Sequence, residues 1–336
     1  MSAPITVLGA GSWGCSVAHL IAQNGHAVQL WCRREDQVEE INTQHTNARY
    51  LGDFPLHKSI QATTDLEAAL RGVPIVFMIV PVKAFRSVCK QAAPILEPDQ
   101  YVVHGSKGIE ADTFCRMTEV IVQETCIRQY GVLAGPNIAR EIIAGKPAGA
   151  VIASRFPGVV QATQNALVSD RFRIYNNDDV LGVELAGALK NIVAIASGLC
   201  TAFELGENAR ALLITRGLSE IARVGVSLGA DPLTFSGVAG AGDLIVTCMS
   251  PHSRNHRVGV ALAQGKKLDT IINDLGMVAE GVPTTRVVHQ IIKKRKIDAP
   301  LLGGMNQVIE GTLDPTEAVA YFMTLAARQD IDQALR

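Results

Sequence analysis

Residues 5–14 read ITVLGAGSWG, an apolar run that passes directly into the pattern G-x-G-x-x-G. The run predicts a short buried strand, and the glycines predict a tight turn into a helix. In this pattern Gly9 permits the turn, Gly11 lets the backbone approach a pyrophosphate, and Gly14 lets the helix pack closely on the strand. The unpaired N–H groups at a helix N-terminus also favour anions. The stretch therefore predicts a Rossmann-type domain that binds a dinucleotide.

The end of the next apolar run, AVQLWC at 27–32, bears on which dinucleotide is bound. About 20 residues after the glycines, NAD-preferring sites usually carry an acidic residue that holds the ribose 2′-hydroxyl. Here Arg33 and Arg34 follow the run instead, and guanidinium groups suit a 2′-phosphate through charge-assisted hydrogen bonds. The alternative is a pair of ordinary solvated arginines. The position favours NADPH as cofactor, with NADH as the second candidate.

The rest of the chain divides into two patterns. Short apolar runs at 75–80, 101–105, 131–134, 149–153 and 172–175 alternate with helical stretches. Strands that are apolar on both faces are typical of a mostly parallel sheet covered on both sides. Beyond them the patterns are helical, beginning with an Ala-rich apolar segment. We predict an α/β fold, in which a Rossmann-type, doubly wound and mostly parallel sheet over 1–181 is followed by an all-α domain over 182–336.

Composition excludes several classes of protein. The 336 residues carry 31 Lys and Arg against 32 Asp and Glu, a net charge of −1, which argues against a nucleic-acid partner. The most apolar stretch, 73–82, is about half the length of a membrane helix and contains two prolines, so no membrane insertion is expected. Seven cysteines without a CxxC pair, and no signal-peptide pattern, indicate reduced thiols and a cytoplasmic location.

Polar residues in four places stand out against their surroundings. Two of the segments follow predicted strands, at the sheet edge where ligands bind in such folds. Another interrupts an apolar helix, and the last is a glycine-rich turn that leads into a polar cluster. In chain order they are Ser106-Lys107-Gly108, Gly135-Pro136-Asn137, Lys190-Asn191, and Gly240-Ala241-Gly242-Asp243 with Ser253-Arg254-Asn255.

Lys190 is the most informative of these residues. Burial lowers the pKa of a lysine, and such an amine suits proton exchange with an alcohol or carbonyl oxygen. The alternative is a lysine whose head reaches the helix surface. Neighbouring Asn191 favours a polar pocket. His252 and His256 have the i, i+4 spacing of metal ligands, but no third ligand lies near them in the sequence, so no metal site is expected.

The order and spacing of the motifs resemble the bacterial NAD(P)-dependent sn-glycerol-3-phosphate dehydrogenase family. The resemblance covers essentially the whole chain, through GAGSWG (9–14), SKG (106–108), GPN-I-A (135–139), ELAGALKNIVAIASG (184–198), LITRGLSE (213–220), GAGDL (240–244), SRN (253–255) and VAEGVPT (278–284). It implies an oxidoreductase that transfers hydride reversibly to C2 of dihydroxyacetone phosphate and yields sn-glycerol 3-phosphate for phospholipid synthesis. It also implies a homodimer.

The resemblance further implies residue roles. Lys190 would donate the proton to the C2 oxygen, Lys107 would polarise the carbonyl, and Asp243 would balance their charge. The family often has Ser or Thr where this chain has Asn137, whose amide both donates and accepts. The other substrate contacts implied are Gly135, Asn191 and the phosphate-binding Ser253, Arg254 and Asn255. The resemblance implies that Ser12, Trp13, Ala139, Val278 and Glu280 lie near the cofactor, and Lys107 and Arg254 are also expected to contact it. The patterns above already predict Gly9, Gly11, Gly14, Arg33 and Arg34 as cofactor contacts.

Two other functions remain open at the level of sequence. One is a related β-hydroxyacid or ketone reductase with the same two-domain plan. The 253–255 cluster argues against it, because a carboxylate substrate requires no phosphate clamp. The other is a dinucleotide sensor without catalysis. The presence of Lys107, Lys190 and Asp243 together argues against it, because a sensor needs none of them.

Overall fold

The structure is a computed structural model that describes residues 4–324. The chain forms two compact units. The first extends to Ser106 and resumes over Arg116–Val180, and the second comprises Lys107–Cys115 and the chain from Leu181 onward. Each unit has its own hydrophobic core. The short segment Lys107–Cys115 lies in the first half of the sequence but thus belongs to the second unit.

An eight-stranded sheet forms the centre of the first unit. Its strands are β1 (Ile5–Leu8), β2 (Val28–Trp31), β3 (Ile60–Thr63), β4 (Ile75–Met78), β5 (Tyr101–His104), β6 (Gln129–Ala134), β7 (Ala148–Ala153) and β8 (Phe172–Asn177). Their order is β3-β2-β1-β4-β5-β6-β7-β8, and every described pairing is parallel except β6 with β7. The predicted fold class, a mostly parallel Rossmann-type sheet, is confirmed.

Strand β3 was not predicted from the sequence. It reads IQAT, and its side chains alternate between buried and partly or fully exposed positions at one edge of the sheet. An edge strand that is apolar on one face only lacks the continuous apolar run of the central strands. After β3, at one edge, the chain passes back across β2 and β1. It then forms β4, which pairs with the other side of β1. The gap between β1 and β4 is therefore the switch point of the sheet, where ligands bind in this class of fold.

Eight helices connect and cover the strands of the first unit: α1 (Ser12–Gln23), α2 (Glu35–Gln44), α3 (Ala48–Leu51), α4 (Leu66–Leu70), α5 (Val82–Ala92), α6 (Met117–Glu124), α7 (Ala139–Ile143) and α8 (Pro157–Leu167). The start of α4 illustrates how sequence sets a boundary. The Asp65 carboxylate accepts from the N–H of Ala68 at 3.0 Å, as expected of an N-cap residue.

Helices and turns, but no strand, make up the described residues of the second unit. Its helices are α9 (Val180–Ala202), α10 (Gly206–Ser227), α11 (Asp243–Met249), α12 (Arg254–Ala263), α13 (Leu268–Leu275), α14 (Gly281–Arg295), α15 (Pro300–Ile309) and α16 (Pro315–Thr324). A 3₁₀ turn, Pro232–Ser236, and a π-helical turn, Val238–Gly242, precede α11. Residues 182–200 of α9 are buried without interruption, as expected of a helix that is apolar on all faces.

Helix α9 is the longest of the described helices. Its 23 residues are long and apolar enough to cross a membrane, although no such segment was predicted. Glu184, Lys190 and Asn191 interrupt its apolar residues, so no uninterrupted apolar run in the sequence reaches the length of a membrane helix. In the structure, 89% of its most apolar window is buried inside the protein. Its apolar surface is therefore already covered within the protein.

Candidate active site

The glycine turn lies at the switch point of the sheet. Gly9 has φ +110°, and a Cβ there would lie 2.2 Å from the carbonyl oxygen of Ile79, directly after β4. A Cβ on Gly14 would lie 1.8 Å from the carbonyl oxygen of Gly9. Around Gly11, the N-cap of α1, a Cβ would meet no atom within 4 Å. The turn is thus packed from behind and open at the helix N-terminus, the arrangement that a pyrophosphate requires.

Other predicted cofactor residues surround this turn in the first unit. The Nε1 atom of Trp13 is buried without a hydrogen-bond partner among residues 4–324, so a polar ligand atom would satisfy it. The Ser12 hydroxyl donates to the carbonyl of Tyr50 at 3.0 Å. Arg33 is exposed, and exposed Arg34 donates from Nε to Asp36 at 2.8 Å. These features fit a dinucleotide.

Two predicted residues follow strand β6 in the same unit. Gly135 has φ +136° and packs against the backbone of Ala150. Both polar atoms of the Asn137 side chain are shielded from solvent and have no hydrogen-bond partner in the described part of the chain. A buried polar group without a partner costs about 1–3 kcal/mol. A polar ligand atom would satisfy the Asn137 amide. Nearby, Ala139 begins α7, and its carbonyl accepts from Ser16 at 3.3 Å.

The second unit brings Lys107, Lys190 and Asp243 together. Lys190, in α9, is 4% exposed, and Asp243, the first residue of α11, is 1% exposed. Lys190 Nζ donates to Asp243 Oδ1 and, at 2.6 Å, to Thr247 Oγ1. Lys107 Nζ donates to the other carboxylate oxygen, Asp243 Oδ2, at 2.7 Å. One buried carboxylate thus holds two ammonium groups that are 83 positions apart in sequence (190 − 107).

The pKa values of this cluster follow from burial and mutual charge. Burial lowers the pKa of Lys190 to about 7; the Asp243 carboxylate opposes this effect, and the Lys107 charge adds to it. Burial by itself would raise the pKa of Asp243, but the charges of Lys107 and Lys190 outweigh burial and lower it. Near neutral pH, Asp243 is therefore ionised and Lys190 can exchange a proton.

Local backbone structure places the carboxylate. The π-helical turn Val238–Gly242 immediately precedes Asp243 in the chain. Its Gly240 packs against the backbone of Phe235, where a Cβ would lie 2.1 Å from the carbonyl oxygen. Thr247 was not predicted from sequence. The available signal was its i+4 spacing from Asp243, which places both side chains on one face of α11.

The polar cluster 253–255, predicted to bind the substrate phosphate, makes several contacts within the second unit. Ser253 is the N-cap of α12 and accepts from the N–H of His256 at 3.3 Å. Asn255 is buried; its Nδ2 donates to Asn191 Oδ1 at 2.8 Å, and its Oδ1 accepts from Gly281 N–H at 3.0 Å. Asn255 therefore joins α12 to α9 and α14, a bracing contact that the sequence did not indicate.

Arg254, the cation of this cluster, contacts Val278, one of the predicted cofactor residues of the second unit. Exposed Arg254 donates from Nη1 to the carbonyl of Val278 at 2.5 Å. Val278 is itself exposed, and Glu280 is the N-cap of α14.

Within residues 4–324, no group of three or more His, Cys, Asp or Glu side chains is placed to hold a metal ion.

Known proteins resemble this chain over nearly its whole length. The family model described as the N-terminus of NAD-dependent glycerol-3-phosphate dehydrogenase matches residues 4–159, and the model of its C-terminus matches 179–320. A relative from Geobacillus thermodenitrificans, named glycerol-3-phosphate dehydrogenase (NAD(P)+), is 44% identical over 334 residues, which covers 98% of this chain and 97% of the relative. A relative of the same name from Shouchella clausii is 40% identical and covers 99% of each chain.

The crystal structure of glycerol-3-phosphate dehydrogenase from Coxiella burnetii has a TM-score of 0.92 to this structure. It is 37% identical, and the match covers 96% of this chain and 99% of that one. Sequence motifs, both family models and full-length relatives therefore agree. The chain belongs to the NAD-dependent glycerol-3-phosphate dehydrogenase family.

Proposed function

We propose that the protein catalyses the reversible, NAD(P)H-dependent reduction of dihydroxyacetone phosphate to sn-glycerol 3-phosphate, which feeds glycerophospholipid synthesis. The observation that carries this proposal is the buried Lys190, held by Asp243 beside Lys107. It supplies a proton donor next to a second cation. The name shared by full-length relatives with 40–44% identity points to the same reaction.

Lys190 is proposed to protonate the C2 oxygen of the ketone. The bound cofactor supplies the hydride that C2 receives. As the carbonyl π pair moves onto oxygen, that oxygen takes a proton from Lys190 Nζ, which is left as a neutral amine. A pKa of about 7 makes both forms of Lys190 accessible near neutral pH. In the oxidation direction the neutral amine takes the hydroxyl proton.

Lys107 is proposed to stabilise negative charge on the C2 oxygen, and Asp243 is proposed to hold the two lysines together. Negative charge develops on the C2 oxygen in the transition state, so a nearby ammonium group binds that state more strongly than the ground state. Asp243 holds both lysines through separate carboxylate oxygens. It therefore fixes their positions and offsets the repulsion between the two cations.

The substrate phosphate is proposed to bind Ser253, Arg254 and Asn255, with exposed Arg254 as its charged partner. A guanidinium group matches phosphate geometry, and a bound phosphate would orient C2 from a distance. Gly135, Asn137 and Asn191 are also proposed as substrate contacts. The proposed cofactor contacts are Gly9, Gly11, Ser12, Trp13, Gly14, Arg33, Arg34, Lys107, Ala139, Arg254, Val278 and Glu280.

An absorbance assay of the reduced nicotinamide tests the proposal directly. The purified protein is mixed with dihydroxyacetone phosphate and either NADPH or NADH, with unphosphorylated dihydroxyacetone as the control substrate. We expect oxidation of the cofactor with the phosphorylated ketone and far less without the phosphate. Binding of NADPH without oxidation would favour the sensor. Activity on a β-keto acid alone would favour the hydroxyacid reductase.

A homodimer and a cytoplasmic location are also proposed. All seven cysteines lie in the described part of the chain and are free thiols, which suits a reducing compartment. In the second unit, exposed apolar side chains on α10 and α11 offer surface for a second copy: Leu212, Ile245 and Met249. Light scattering coupled to gel filtration gives the mass in solution. A mass of one chain would contradict the dimer.

A further inference from the structure

Two side-chain amides hold the glycine turn from behind. Gln37, in α2, donates from Nε2 to the carbonyl oxygen of Ala10 at 2.7 Å. Asn47 donates from Nδ2 to the same oxygen at 2.9 Å. A carbonyl oxygen has two lone pairs, so the acceptor capacity of Ala10 is filled by these two donors. The carbonyl oxygen can only accept a hydrogen bond. Both side chains must therefore turn their NH₂ groups, and not their amide oxygens, toward it.

Asn47 is itself fixed in place. It is fully buried, with 0% exposure, and its own carbonyl accepts from Tyr50 and Leu51 at 3.0 and 2.9 Å as α3 begins. Its Nδ2 also contacts Cys15 Sγ at 3.1 Å, on α1. The adjacent Ala48 N–H donates to Glu40 at 2.6 Å. The Asn47 side chain is therefore held by the ordered backbone at the start of α3 and by its contact with α1.

The contacts to Ala10 determine where the next N–H points. In a planar trans peptide, the C=O and N–H groups point in opposite directions. With its oxygen held by Gln37 and Asn47, the Ala10–Gly11 peptide must aim the Gly11 N–H away from them. The position that a Cβ of Gly11 would occupy is open, as described above. Without these donors the peptide could rotate and present its carbonyl oxygen to an anion.

We propose that Asn47 and Gln37 are positioning residues that aim the Gly11 N–H at the pyrophosphate of the cofactor. The inference rests on the proposed dinucleotide-dependent function. It assigns a cofactor-binding role to two residues outside the glycine pattern, on α2 and at the start of α3. Neither residue contacts the cofactor in this role; both act through the Ala10–Gly11 peptide.

Titration calorimetry with NADPH tests the proposal on the full chain. Asn47→Ala and Gln37→Met each remove one donor to Ala10, and we expect each to raise the Kd of NADPH about tenfold. Asn42→Ala is the matched control. Asn42 makes two similar bonds to the backbone of Ala62, at 2.7 and 2.9 Å, in strand β3 and away from the turn. Its Kd should stay within about twofold of wild type.

A second ligand separates positioning from general loss of structure. Adenosine 2′-monophosphate lacks the pyrophosphate, so its Kd should not change in Asn47→Ala or Gln37→Met. In turnover, the loss should appear in the KM for NADPH rather than in kcat. Equal weakening of both ligands, or unchanged NADPH binding, would overturn the proposal. If Asn47→Ala does not fold, Gln37→Met at a partly exposed position decides it. A wild-type protein that fails to bind NADPH would instead contradict the proposed function.

Discussion

At the scale of single residues, the chemistry depends on how Lys190 is surrounded. A lysine in an apolar helix loses the solvation of its charge, and this loss lowers its pKa. The Asp243 carboxylate and the Thr247 hydroxyl replace part of that solvation. The amine is thereby kept ordered and close to its proton-exchange range at neutral pH. Three substitutions separate these contributions.

Lys190→Met retains most of the apolar stem and removes the amine. We expect kcat for reduction of dihydroxyacetone phosphate to fall by about 10²–10⁴, the usual contribution of a general acid. The Kd of NADPH, measured by calorimetry, should stay within about twofold. Lys266→Met, at an exposed lysine that pairs with Asp274 at 3.3 Å, is the control and should retain activity. An equal loss of NADPH binding in Lys190→Met would indicate a structural role.

Asp243→Asn should change the pH dependence of the reaction. The carboxylate opposes the effect of burial, so its loss lowers the pKa of Lys190 further below about 7. Reduction needs the ammonium form, and its kcat/KM therefore falls as pH rises through that pKa. The midpoint of this fall should move to lower pH in the variant. Asp274→Asn, at an exposed ion pair, should leave the midpoint unchanged. A shift to higher pH would contradict the assignment of Lys190.

Thr247→Val removes the hydroxyl that accepts from Lys190 and nearly preserves side-chain shape. The lost bond involves a charged donor, so we expect kcat to fall by about tenfold to a hundredfold. Thr247→Ser, which keeps the hydroxyl, should recover most of the activity. Steady-state kinetics of both variants make the comparison. A valine variant with wild-type kcat would exclude a role for this contact.

At the scale of elements, the sequence predicted most strands and long helices, but not every segment that places a site residue. The central strands could be predicted because their apolar residues are continuous, and α9 because its segment is long, Ala-rich and mostly apolar. Helix α11 was not predicted, because it has only seven residues and follows a π-helical turn that no periodicity reveals. Yet α11 carries both Asp243 and Thr247. Short elements like this depend on tertiary packing more than on local pattern.

Glu220 links two elements and offers a test of stability. Its buried carboxylate, on α10, accepts from the N–H groups of Leu301 and Leu302 at 3.0 Å each, at the start of α15. Burial raises its pKa, and these two bonds partly oppose that effect. Glu220→Ala leaves both N–H groups unpaired, so we expect a loss of about 2–4 kcal/mol in the free energy of unfolding. Denaturant unfolding measures it.

The control for that measurement is Glu310→Ala. Glu310 forms an exposed ion pair with Arg286 at 2.7 Å, and such pairs contribute about 0–1 kcal/mol. A comparable loss in both variants would show that the buried cap on α15 has no special contribution.

At the scale of the whole molecule, a net charge of −1 conceals local groups of cations. Arg33 and Arg34 follow β2 in the first unit, while Lys107, Lys190 and Arg254 lie in the second. Binding of anionic ligands must then depend on these local groups rather than on a long-range field of the protein. The choice between the two cofactors provides the test.

Arg33→Ala combined with Arg34→Ala should weaken NADPH more than NADH. Only NADPH carries the 2′-phosphate, so we expect the ratio of the two Kd values to change by about tenfold or more. Arg71→Ala, at an exposed arginine that pairs with Glu67, is the control and should leave the ratio unchanged. An unchanged ratio in the double variant would exclude a 2′-phosphate contact.

The sequence by itself determined the class of fold, the position of the glycine turn and the family, because these depend on local patterns and on ordered motifs. Only the tertiary structure decided which side chains meet. Lys107 and Lys190 are distant in sequence, yet they share one buried carboxylate. Asn255 braces α9 and α14 through its side chain. Such contacts arise from the packing of whole elements, and packing across long sequence separations leaves no periodic signal in the chain.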